Sequence, residues 1–158
     1  YPVENISLMD CVDFVANLNS LTGKHFDIPT EAEWEYAARG GNMSKGYIYS
    51  GSNIIDDVAW YTDNSSQITH QCGTKAPNEL GIYDMSGNVG EWCSDWYDKN
   101  YYASSPSLNP TGPKTGLAVV CRGGTYVYGK WNCRVSSRDF ANADERWNNF
   151  GFRLGCRK

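Results

Sequence analysis

The chain has 158 residues, near the usual size of one domain and long enough to bury a single core, and its composition, 41% hydrophobic and 20% charged, excludes a disordered chain. A net charge of −4 with no lysine- or arginine-rich cluster excludes a phosphate-tracking surface, so no nucleic acid partner is expected. The longest apolar run, residues 117–121, is far too short to cross a bilayer, so no membrane insertion is expected.

Tyr1 in place of Met, followed by Pro2, suits a trimmed or mature fragment, so this end says nothing about export. The first predicted helix opens at Ser7, which forms a capping box with Asp10. Val12, Val15 and Leu18 follow at near-helical spacing, and Leu21, Thr22 and Gly23 supply the stop. The second repeats the device: Thr30 caps, Glu33 reaches back, Trp34, Ala37 and Ala38 form the inward stripe, and Gly40 and Gly41 end it. Beyond Gly41 the chain turns to short runs punctuated by Gly, Asn, Asp, Ser and Pro, with residues 57–61, 119–122, 125–131 and 151–156 as the strand candidates. Two early helices before a loop-rich β region predict an α+β fold, and long ordered loops of this kind are usually functional or tied down. No internal repeat interrupts residues 1–158, which are expected to form a single domain.

Six cysteines, Cys11, Cys72, Cys93, Cys121, Cys133 and Cys156, are scattered without a CxxC pair, and only His25 and His70 accompany them, so a zinc site is not expected. Either up to three disulfides or small buried hydrophobes would account for them. The aromatic load is the unusual feature: 14% of residues, including six Trp and eleven Tyr, side chains that suit irregular cores and binding surfaces alike.

Four separated segments carry a family resemblance: residues 26–41 (FDIPTEAEWEYAARGG), residues 76–92 (APNELGIYDMSGNVGEW), residues 122–126 (RGGTY) and residues 151–154 (GFRL). In this order they resemble the formylglycine-generating enzyme (sulfatase-modifying factor) family. The resemblance implies a C-type-lectin-like fold: a small twisted antiparallel sheet, two helices and extensive ordered loops, here lacking much of the family's N-terminal portion before Tyr1. The chain departs from the family pattern at Leu8 and Gly90, where a Trp is usual, and at Asp27-Ile28, where Arg-Leu is usual.

In the enzyme, two cysteines separated by four residues hold copper(I) and oxidise a substrate cysteine, in a Cys-x-Pro-x-Arg context, to formylglycine. Alignment on Gly123-Gly124-Thr125-Tyr126 puts Tyr128 at the first position and Cys133 at the second. A phenol does not replace a soft thiolate for this ion, so copper is not expected and Cys133 is catalytic only if an enzyme reading holds. Iron-dependent relatives need a His-rich site that two histidines do not supply. The resemblance further places a structural calcium site at Asp84, Gly87, Val89 and Glu91, with acids at the ends and backbone carbonyls between. The alternative is that Asp84 caps a turn and Glu91 pairs with an arginine such as Arg153.

Residues 125–132 and 139–150 mix aromatic, small and Asn residues without periodicity, the composition of a paratope. They are similar to the variable proteins of diversity-generating retroelements, whose variation falls in this C-terminal segment. This reading makes the chain a non-catalytic receptor- or adhesion-type domain on a cell surface or outside the cell, with a protein or glycan as partner. Its alternative is an oxidoreductase, or a regulatory relative, of the formylglycine-generating type. The expected ligand surface comprises Tyr126, Val127, Tyr128, Lys130, Trp131, Asn132, Asp139, Phe140, Asn142, Trp147 and Asn149, brought side by side by anchoring strands at 122–124, 133–136 and 151–154. One or two of Trp131, Trp147 and Phe150 are expected to fill the core instead.

Overall fold

A computed structural model describes residues 1–157. Helix α1 runs Leu8–Thr22 and helix α2 Glu31–Ala38, both opened by the predicted caps. The Asp10 N–H donates to Ser7 Oγ at 3.1 Å and the Ser7 N–H to the Asp10 carboxylate at 2.8 Å; Thr30 and Glu33 repeat the exchange at 3.2 and 2.9 Å. Each cap contributes on the order of 1 kcal/mol. Gly23 ends α1 in the left-handed region and returns its N–H to the Asn19 carbonyl. The buried stripe of α1 is Cys11 and Val15, with Leu18 half-buried, while Val12 faces out.

Strand β2, Gly90–Trp96, is central in a four-stranded sheet of order β4-β3-β2-β5. It pairs antiparallel with β3, Val119–Arg122, which pairs antiparallel with β4, Arg138–Ala141. The short β5, Phe150–Gly151, runs parallel to β2, so the sheet is mixed rather than wholly antiparallel as expected. A separate two-stranded ribbon joins β1, His25–Asp27, to β6, Gly155–Arg157.

Alternation along the strands divides the core. Trp92, Val119, Cys121 and Ala141 pack with Phe150 against Cys11 and Val15 of α1. Cys93 and Val120 point the other way, against Trp34 and Ala38 of α2 and Met85. A third cluster, under the loops, joins Tyr49, Ile55, Val58, Ala59, Tyr61 and Cys133.

On the α2 face the sheet carries charge. Arg122, its side chain fully buried, pairs with Glu35, lies 3.4 Å from Glu31 and donates to the carbonyls of Val135 and Ser137. Its guanidinium also stacks 5.1 Å from the centre of the Trp34 ring. Arg138 grips both oxygens of buried Glu31 at 2.6 and 2.7 Å. Asp95, on the same face of β2, is 3% exposed and accepts the Glu31 N–H at 2.8 Å. Burial pushes its carboxyl from 3.8 up to about 6.

Three sequence expectations change. Residues 57–61 are not a strand: Ile55–Val58 form a third short helix, α3, because Ile55 and Val58 bury one side of a single turn whose first residues are acidic. Residues 125–131 form turns, because the backbone leaves β3 through Gly123 and Gly124, both in the left-handed region. Residues 151–156 are split between β5 and β6 by a break at 152–154. The longest strand, β2, was not predicted, since Glu91 and Asp95 occupy inward positions and erase its apolar alternation. The departure at Gly90 has a steric cause: a Cβ there would meet the Phe150 ring at 2.9 Å and the Thr125 methyl at 3.3 Å, so a tryptophan has no room.

Truncating Arg122 to Ala takes one of two arginine partners from buried Glu31 and half-buried Glu35 and opens the space of a fully buried side chain, and should cost about 3 kcal/mol in urea unfolding; a loss below about 1 kcal/mol would show the network to be incidental. Asp95 acts in the opposite sense. Its folded pKa lies above its unfolded value of 3.8, so its charge destabilises the fold increasingly as pH rises from about 4 to 6. Asp95→Asn, which keeps an acceptor for the Glu31 N–H, should therefore melt above wild type near pH 7, with the gap closing below about pH 4. A pH-independent gap would contradict this.

Candidate functional surface and the residues that support it

The two predicted segments meet at Tyr128, which is half-buried against Asp139 and Asn149. Around this contact Val127 and Asp139 are half-buried, and Lys130, Asn132 and Asn142 are exposed. Trp131 and Trp147 are 64% and 49% exposed. Phe150 goes into the core, as expected for one of the three large aromatics. Three of the predicted residues fall outside the open surface. Tyr126 and Asn149 are buried, so they floor the patch rather than face solvent. Phe140 is exposed but points to the other side of β4 from Asp139, where it stacks on Tyr97 at 4.3 Å.

Few of these loop residues pair in a strand, so other contacts must hold them. Buried Asn88, itself in the left-handed region, is the main support. Its carbonyl accepts the Tyr126 N–H at 2.7 Å and its N–H donates to the Trp60 carbonyl at 2.7 Å. Its side-chain amide exchanges two 3.1 Å hydrogen bonds with the backbone of His70. Ser65 Oγ donates to the Tyr126 carbonyl at 2.7 Å, and the Thr62 N–H to the Tyr128 carbonyl at 3.1 Å. The preceding Gly87 makes this approach possible, because a Cβ there would overlap the Trp60 carbonyl. Further on, Ser137 Oγ and Arg134 Nε both donate to the Trp131 carbonyl, at 2.6 and 3.0 Å. Lys130 and Arg134 sit 5.4 and 5.5 Å from the Trp131 ring centre. In the second segment Glu145 accepts from Asn142 and from Trp147 Nε1, closing that loop on itself. Sequence reasoning missed Asn88, Ser65 and His70; only the Gly87-Asn88 pair marked a sharp turn.

Cys133 has no access to solvent. It lies in the third core cluster beneath Tyr49 and Tyr61, and burial pushes its thiol up to about 12. Ser86 Oγ holds its carbonyl at 2.8 Å. Burial also raises the phenol of Tyr128. A buried protonated thiol and a phenol do not fit a copper(I) pair, which requires two thiolates. Cys11, Cys93 and Cys121 are likewise buried, Cys72 and Cys156 are exposed, and the structure joins no two of the six.

Asp84, Val89 and Glu91 line one cavity of about 770 Å³ together with Arg153. Arg153 meets both Glu91 oxygens at 2.6 Å, and Trp34 Nε1 donates to Oε2 at 2.6 Å. The Glu91 carboxylate thus has the arginine partner of the alternative sequence reading. Asp84 accepts the Gly73 N–H at 2.7 Å, and burial raises its carboxyl. Among the described residues no group of three or more His, Cys, Asp or Glu side chains is placed to hold a metal. As placed, both Glu91 oxygens are engaged by Arg153, so an ion in the expected calcium ring would have to share or displace that guanidinium.

A family model for the sulfatase-modifying factor enzyme 1-like domain matches residues 1–157. The formylglycine-generating enzyme of Streptomyces coelicolor is 36% identical over 169 aligned residues, covering 97% of this chain and 52% of the enzyme. Treponema denticola variable protein 1 superposes with a TM-score of 0.93 at 30% identity, covering 99% of this chain and 71% of that one. PvdO from Pseudomonas aeruginosa follows with a TM-score of 0.85 at 28% identity, over 99% of this chain and 62% of its own. The chain spans about half the length of the formylglycine-generating enzyme it matches. It belongs to the sulfatase-modifying factor enzyme 1-like family, and its fold is the C-type-lectin-like fold of that family.

With Arg153 as the partner of Glu91, EDTA should leave the melting temperature unchanged, while Arg153→Met, which strands a carboxylate only 6% exposed, should lower it by several degrees. A fall in melting temperature on chelation, reversed by calcium, would restore the ion to this site.

Proposed function

We propose that this member of the sulfatase-modifying factor enzyme 1-like family is a non-catalytic, ligand-binding domain. Its ligand surface is formed by Val127, Tyr128, Lys130, Trp131, Asn132, Asp139, Asn142 and Trp147, over a floor of Tyr126 and Asn149. The observation that carries this reading is the division of labour along one stretch of chain. The backbone of 126–149 is fixed by contacts to Asn88, Ser65, Ser137 and Glu145, yet Trp131 and Trp147 remain open to solvent. Rigid exposed aromatics among adaptable amides suit a binding surface, because little side-chain freedom is lost on contact.

The likeness to a variable protein at a TM-score of 0.93 supports the same reading, and extends it to a C-terminal segment whose positions vary between copies. Substitution is most tolerable in the first segment, whose supports from Asn88, Ser65 and Ser137 reach main-chain groups; in the second, Asn142 and Trp147 also bond Glu145. A protein or glycan partner, met at a cell surface or outside the cell, is the expected setting. The enzyme relatives favour a second reading, an oxidoreductase acting on a cysteine peptide, which the sealed thiol of Cys133 and the phenol of Tyr128 argue against.

Binders selected from displayed-protein and glycan libraries should lose affinity by at least about 30-fold, or 2 kcal/mol, with Trp131→Ala or Trp147→Ala, and be indifferent to Leu117→Ala at an exposed site elsewhere. Binders that map uniformly to other faces would refute the surface. In parallel, a Cys-x-Pro-x-Arg peptide incubated with the domain, copper(I) and oxygen should keep its mass, and conversion of its thiol to an aldehyde would reinstate the enzyme.

A further inference from the structure

A second concave feature lies away from that surface, between α2 and the segment 97–112. Two adjoining cavities, of about 310 and 660 Å³, share Ala32, Tyr36 and Pro110, and Asp95 lines the smaller. The smaller has the size of a site for a small molecule. Tyr36, Tyr101 and Tyr102 give its walls an aromatic character, Glu31, Glu35 and Asp95 contribute three carboxylates, and Arg39 also lines it, tied to Glu35 at 2.7 Å.

The three carboxylates are not equivalent. Glu31 is neutralised by Arg138, and Glu35 by Arg39 and Arg122. Asp95 has a backbone N–H from Glu31 and a long contact of 3.5 Å from Ser94 Oγ, and among the described residues no arginine or lysine pairs with it. Glu31 and Glu33 add further negative potential at its position. Buried carboxylates are ordinarily paired, because removing an uncompensated charge from water is costly. Here the counter-charge is missing and a cavity stands where it would enter. The turn at Gly112 presses on the other side of Asp95, where a Cβ would come within 2.8 Å of the Asp95 Cβ, so the carboxylate has little freedom to swing away.

The tyrosine faces are suited to the same task. Arg138 already lies 4.8 Å from the Tyr97 ring centre and 4.4 Å from that of Tyr102, so a guanidinium is accommodated at the edge of this cleft. We propose that the cleft binds a small organic cation, an ammonium or guanidinium group on a short apolar stem, with the charge set against Asp95 and the stem between Tyr36, Tyr101 and Pro110. The site is independent of the proposed ligand surface.

Benzylamine is a suitable probe because it is charged near pH 7.5 and has a neutral isostere of nearly equal shape, benzyl alcohol. In a titration of the whole chain followed by NMR or calorimetry, benzylamine should bind saturably and at least about tenfold more tightly than benzyl alcohol. Asp95→Asn should abolish that preference. Tyr36→Ala, at an exposed position whose hydroxyl bonds only Asn42 on the surface, should weaken benzylamine by at least about threefold as an independent check. Equal affinity for the amine and the alcohol, no saturation, or indifference to Tyr36→Ala would each overturn the proposal.

Discussion

Arg122 is a full positive charge with no exposed side-chain surface, at the end of β3, and the architecture is arranged around satisfying it. Glu31 and Glu35, one turn apart on α2, face it from one side, and the carbonyls of Val135 and Ser137 from the other. A charge in that position forces α2 onto the sheet and draws residues 135–138 in toward it, because leaving any partner out would strand a buried ion. Arg138 adds a second cation to Glu31, and Arg153 with Glu91 repeats the scheme one strand away. The three arginines stand at the start or end of the stretches that carry the proposed binding residues. The same contacts that hold the core thus fix where the variable-looking segments begin and end.

This arrangement separates support from display. The charged layer and Asn88 hold the backbone of residues 122–153, mostly through main-chain groups and residues outside the proposed ligand surface. Among the described residues the side chains of Trp131 and Asn132 contribute no hydrogen bond to that support, whereas Asn142 and Trp147 also bond Glu145 within their own loop. Cys133, the thiol that an enzyme reading would need, is part of a small apolar cluster with Tyr49 and Tyr61. The cleft proposed to take a cation belongs to the same charged layer, at Asp95, which among the described residues forms no ion pair with an arginine.

Both helices could be read from the sequence because each is signed locally, by Ser7 with Asp10 and by Thr30 with Glu33. The family could be read because residues 26–41 and 76–92 are long ordered matches. Strand β2 could not be read, since its inward Glu91, Cys93 and Asp95 obey a charge pattern whose partners lie tens of residues away. The turns at 125–131 looked like a strand for the converse reason: their Tyr and Val content suits a sheet, but Gly123 and Gly124 turn the chain out of β3 before pairing continues. Of the candidate surface, the aromatic positions were legible from composition. The opposite orientation of Phe140 was not, because it depends on the register of β4 against β3. The Glu91–Arg153 pair was legible as the alternative to the calcium ring that the resemblance implies, since an acid in the 84–91 turn needs a cation and Arg153 lies in a matching segment.

The claim that this scaffold has given up thiol chemistry for display is tested most directly by native-state alkylation mapped by mass spectrometry, with and without copper(I). Cys72 and Cys156, both exposed, should label in the folded protein, whereas Cys133 should label only once the chain is unfolded, with or without copper(I). Rapid labelling of Cys133 in the folded protein, suppressed by copper(I), would contradict the account.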